Sequence, residues 1–130
     1  MQVLLPVVLS GFVFAFVSSC ASSHNATANA NQPAITGILI DQACGAKMMA
    51  QDDPQKAAAS HTRACAMKDA CAASGYAVIS GKEMIKFDDT GNQLAKDFLQ
   101  KTDKTDDLMV TVKGTRTGDM IAVTSITAAQ

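Results

Sequence analysis

Tyr76-Ala77-Val78-Ile79-Ser80-Gly81-Lys82-Glu83-Met84-Ile85-Lys86-Phe87 decides the architecture of this chain. Two runs of aliphatic, β-branched and aromatic residues flank a short Ser-Gly-Lys bend, which is the pattern of a β-hairpin. Downstream, Asp88-Asp89-Thr90-Gly91-Asn92 turns the chain into a short amphipathic helix whose apolar side is Leu94, Ala95, Phe98 and Leu99, at helical spacing. Two strands follow. In the first, Leu108, Val110 and Val112 share one face and Met109, Thr111 and Lys113 the other. A turn over residues 114–119 leads to the last strand over residues 120–126.

Upstream of the hairpin, Ile35-Thr36-Gly37-Ile38-Leu39-Ile40-Asp41 reads as the first strand, ending in a turn at Ala43-Cys44-Gly45. Asp53-Pro54 starts a helix, with a capping carboxylate followed by proline where the missing N–H costs nothing. The Ala-rich run continues toward Gly75 as its C-terminal stop, as one helix or as two broken near Ser60-His61. The order is strand, helical insertion, strand, strand, helix, strand, strand. That is the order of the OB-fold, a small five-stranded Greek-key barrel, although an antiparallel sheet with helices on one face uses the same elements. The fold carries many functions and does not choose among them.

A chain of 130 residues holds one domain. Its formal charge is −1, with acids and bases intermixed, and only Tyr76, Phe87 and Phe98 are aromatic after residue 19. Nucleic acid needs clustered cations on phosphates and aromatic platforms under bases, so it is excluded as a ligand class.

The first nineteen residues are a targeting segment. Residues 3–17 carry no charge but are interrupted by Pro6 and Ser10-Gly11. They are too short for about 30 Å of hydrocarbon and of the right length for a secretory signal. Val17-Ser18-Ser19-Cys20 resembles the lipobox of bacterial lipoproteins, which implies cleavage before Cys20 and lipid on its thiol and freed amine. It departs from the usual signal in having only Gln2, with no Lys or Arg, before the apolar run. With Ala21 rather than Asp next, the sorting rule implied by that resemblance gives the outer membrane, facing the periplasm. The alternative is an ordinary signal cut a few residues later, releasing a soluble secreted chain. Residues 20–34 are the lipidated cysteine and a small, polar tether, and residues 35–130 the OB-like domain with its helical insertion.

The insertion region holds the chemistry. Cys44, Cys65 and Cys71 follow the leader, with His61 one turn before Cys65. An oxidising envelope favours disulfides, and three thiols leave one over. If residues 61–73 were one helix, Cys65 and Cys71 would lie about 9 Å apart along its axis, beyond the Cα separation of about 7 Å that a disulfide tolerates. Cys44 is then the expected partner of either, closing a loop worth about 3 kcal/mol. The alternative is a Cys₃His set for Zn²⁺ or, with Met48, Met49 or Met67 nearby, Cu(I). It lacks C-x₂-C knuckles and needs a break in the helix to converge. A third reading makes Cys65 or Cys71 an enzyme nucleophile activated by His61, with no third residue to orient the imidazole.

Residues 37–45 (GILIDQACG), the run His61-x₃-Cys65-x₅-Cys71-x₃-Gly75-Tyr76 and the two closing strands resemble small exported bacterial proteins that pair a Cys/His motif with an OB-like C-terminal half. The resemblance implies that Cys44, His61, Cys65 and Cys71 form one site and transfers no activity. The expectation is therefore a non-enzymatic envelope lipoprotein without a cofactor, a binding or structural module stapled by a disulfide. Its membrane contact is through lipid, with no identified protein or small-molecule partner.

Overall fold

A computed structural model describes residues 32–130. The signal segment, Cys20 and most of the tether lie outside the described residues. β1 (Ala34–Asp41) leads into four short helices, α1 (Gln42–Met48), α2 (Pro54–Ala59), α3 (Arg63–Ala66) and α4 (Asp69–Ala73). The hairpin β2 (Tyr76–Ser80) and β3 (Glu83–Phe87) follows, then α5 (Asp89–Lys101), β4 (Met109–Thr117) and β5 (Met120–Ala128). The strands close in the order β1-β2-β3-β5-β4, with β4 returning to β1. This is the five-stranded OB-like barrel expected from the sequence, with the helical insertion after the first strand and a helix between the third and fourth.

All pairings are antiparallel except β3 with β5, where only Lys86↔Met120 and Phe87↔Ile121 are paired. Arg116 spans that short parallel seam with a forked ion pair to Glu83, at 3.0 and 3.3 Å, and Lys86 meets Asp119 at 3.2 Å. Both pairs are exposed to water, which screens them, so the seam is held mainly by the side chains beneath it.

The barrel interior is filled by Leu39, Val78, Ile85, Phe87, Val110, Val112, Ile121 and Val123, alternate residues of their strands. Ala95 and Leu99 of α5 plug it, so the helical face read from the sequence is the buried one. The Asp88 carboxylate accepts from the N–H of Gly91 at 2.9 Å and of Val123 at 3.1 Å, capping α5 and fixing it to β5.

A second cluster lies on the opposite face of β1 and β2. Ile38, Ile40 and Ile79 point away from the barrel interior and pack with Ala58, Met48, Met49, Met84 and Met109. The insertion is thus a lid over one wall of the barrel. Both faces of β1 and β2 are covered, and that is why their sequences run continuously apolar instead of alternating.

Three expectations need correction. Ala43-Cys44-Gly45 is not a turn but part of α1, because the Asp41 carboxylate accepts from the Cys44 N–H at 2.9 Å and caps a helix there. Gly45 sits inside it because the Met84 sulfur packs against its backbone, 2.7 Å from where a Cβ would stand. The Ala-rich run is neither one helix nor two, but α2, α3 and α4. The turn placed at residues 114–119 is narrower, since β4 continues to Thr117.

Candidate metal centre

Each short helix delivers one part of the site. Asp41, at the end of β1, caps α1 and so sets Cys44 in its first turn. Thr62 caps α3 by accepting from the Cys65 N–H at 3.2 Å. After α3 the chain breaks at Met67-Lys68, and α4 restarts in a new direction carrying Cys71. Gly75, in the left-handed region at φ +82°, then ends the insertion and returns the chain to the barrel.

Cross-links hold these pieces in place. The Ser74 hydroxyl donates to the Cys71 carbonyl at 2.6 Å and accepts from the Ala43 N–H at 3.2 Å, joining α4 to α1. The Arg63 guanidinium donates to the Thr102 carbonyl at 2.7 Å, tying α3 to the end of α5. Tyr76, buried in the barrel core, donates its hydroxyl to the Ala66 carbonyl at 3.0 Å. Tyr76→Phe leaves that carbonyl without its partner. It is expected to cost about 1 kcal/mol in denaturant unfolding and to speed alkylation of Cys65 and Cys71.

The break in the helix gathers the sulfurs. Cys44, Cys65 and Cys71 place their Sγ atoms within 4.8 Å of one another, all three half-buried. The disulfide staple expected from the sequence is overturned: all three are free thiols, and the closest Sγ pair is 4.2 Å apart, about twice the length of an S–S bond. The stapled module and its cross-link fall with it.

The fourth residue read from the sequence, His61, is placed differently from its three companions. It follows α2, is 5% exposed, and brings Nε2 to 3.0 Å from Oδ2 of Asp41, which is wholly buried. The two are within ion-pair and hydrogen-bond reach of each other, and Asp41 pulls against the effect of burial on the imidazole. Beyond that contact, Asp41 Oδ2 and both His61 nitrogens have no hydrogen-bond partner among the described residues. Buried polar atoms are seldom left so. Asp41, His61 and Cys44 form a second group whose ligand atoms lie within 4.8 Å. Cys44 belongs to both groups.

Sequence reasoning missed Asp41, reading it as the last residue of a strand. The available signal was its position three residues before Cys44, the spacing at which a capping carboxylate meets a backbone N–H.

Thiol, imidazole and carboxylate together have the composition of a cysteine nucleophile and its base. Neither His61 nitrogen is hydrogen-bonded to a thiol. Burial, followed by the charge of Asp41 and the two neighbouring cysteines, pushes the Cys44 thiol up to about 12. Burial raises Cys71 as well, and it holds His61 below the usual imidazole range against the pull of Asp41. A nucleophile needs its thiol lowered. A metal site likewise needs the thiol proton to leave, displaced when an ion binds.

No family model, curated protein or solved structure matches the chain. Of the features that carried the resemblance read from the sequence, the OB-like barrel and a Cys/His-containing cluster are present.

Proposed function

We propose that this protein is a metal-binding module that holds a thiophilic ion, Zn²⁺ or Cu(I), on Cys44, Cys65 and Cys71. The observation that carries the reading is the convergence of three unbonded sulfurs from three separate helices. Metal–sulfur bonds of about 2.3 Å space the sulfurs on one ion about 3.8–4.0 Å apart, so the closest observed separation, 4.2 Å, needs only slight closing. Thiolates select such ions over hard cations. The leader supports an address beyond the cytoplasmic membrane, with lipid on Cys20 as the anchor. In that oxidising setting, coordination would also shield the three sulfurs from oxidation.

Titration of the reduced, metal-free full chain with Zn²⁺ or Cu(I) against a chromophoric chelator tests this, with peptide-resolved alkylation as a second readout. Stoichiometric binding is expected, with Cys44, Cys65 and Cys71 protected until chelator is added. Absence of binding for both ions, with equal alkylation throughout, would overturn it.

A further inference from the structure

We infer that the centre is binuclear, with Cys44 as a shared thiolate bridging a second divalent ion held by Asp41 and His61. The inference rests on the metal-binding reading and extends it to a position that the three cysteines alone do not provide.

The geometry divides the ligands into two groups that overlap at one atom. Cys44, Cys65 and Cys71, all half-buried, form one group, and Cys44 with the buried Asp41 and His61 forms the other, the ligand atoms of each lying within 4.8 Å of one another. Metal–oxygen and metal–nitrogen bonds of about 2.0–2.2 Å set two such donors about 3.0–3.5 Å apart on one ion. Asp41 Oδ2 and His61 Nε2 are 3.0 Å apart. Both can direct lone pairs at a common cation once the ring proton resides on Nδ1 and no longer lies between them. Two ions joined by one sulfur would lie about 3.5–4 Å apart, as in other two-metal sites.

Charge points the same way. Three thiolates and one carboxylate carry four negative charges, which two divalent ions neutralise. A single ion would leave two uncompensated in a partly desolvated pocket, which is costly. Among the described residues, neither Lys nor Arg forms an ion pair with the cluster. Three protein ligands also leave the inner ion one open coordination position, the arrangement of sites that hold a water.

The test uses the reduced full chain loaded with Zn²⁺ for stoichiometry and with Cd²⁺ for cadmium NMR. Two ions per chain are expected, with two cadmium resonances coupled through the common sulfur. His61→Ala should retain one ion, lose the less sulfur-rich resonance and weaken binding of the second ion more than 100-fold. Asp41→Asn, which keeps a capping oxygen for α1, should do the same if His61→Ala fails to fold. One ion per chain in the wild type would overturn the bridged pair and leave the three-cysteine site standing. Two ions bound equally well by the wild type and by either variant would overturn the assignment of Asp41 and His61. No bound Zn²⁺ or Cd²⁺ would overturn the bridged pair, and failure of Cu(I) to bind as well would overturn the metal reading with it.

Discussion

Cys44→Ser is expected to empty the whole centre, whereas Cys65→Ser or Cys71→Ser should each leave one ion on Asp41, Cys44 and His61. The difference follows from position. Cys44 is the one ligand common to both groups, so its loss reduces the outer group to two sulfurs and the inner group to a carboxylate and an imidazole. Removing a residue that merely orients a ligand costs about 10–100-fold in affinity. Removing this ligand should exceed about 100-fold for each ion. Serine is close in size, and the Asp41 cap engages the Cys44 backbone rather than its side chain. The metal-free variant should therefore unfold within about 1 kcal/mol of the metal-free wild type, which separates a lost ligand from a lost fold. Elemental analysis of the four chains after identical loading gives the comparison, and a Cys44→Ser chain that keeps an ion at wild-type affinity would contradict it.

Chelation should loosen the insertion before it affects the barrel. The four helices of the insertion span only 7, 6, 4 and 5 residues, and helices this short are not stable in water by themselves. Their support comes from the second core cluster under α1 and α2, from Ala66 and Ala72 packed on the barrel core, from a few hydrogen-bonded links and, on the present reading, from ions joining α1, α3, α4 and the segment after α2. An ion present at 100 times its dissociation constant contributes about 2.7 kcal/mol to stability. For a domain of this size its removal should lower Tm by at least about 10 °C. Hydrogen exchange locates the effect: amides of α3 and α4 should lose protection on chelation, while Val110 and Val112 in the barrel keep theirs. Uniform loss across barrel and insertion would mean that the two unfold as one unit.

The barrel was legible because its signals are local. The hairpin bend, the alternation in β4 and the spacing of Leu94, Ala95, Phe98 and Leu99 each depend on neighbours in sequence, and each was read correctly. The continuous apolar runs of β1 and β2 also marked strands, though only the fold explains them, through a second layer packed on the outer face. The insertion was less legible because its helices are defined by caps rather than by periodicity. Asp41 and Thr62 each start a helix through one side-chain oxygen, and Met67-Lys68 breaks the run without a glycine or proline to announce it. Treating residues 61–73 as one helix separated Cys65 from Cys71 and made a disulfide to Cys44 the natural expectation. With the break in place the three sulfurs meet instead. Cys44, His61, Cys65 and Cys71 could be picked out as candidates by residue type, but their division into two groups could not, since it depends on Asp41.

Ile38, Ile40 and Ile79 form a greasy strip on the outer wall of β1 and β2, shielded from water by Ala58, Met48 and Met49 of the insertion together with Met84 and Met109 of the barrel. A copy deprived of ions would uncover the part of that strip beneath the insertion while its barrel stayed intact, and two such copies could bury it against each other. Metal starvation should then show itself as self-association, a change in sedimentation or light scattering that ion resupply reverses.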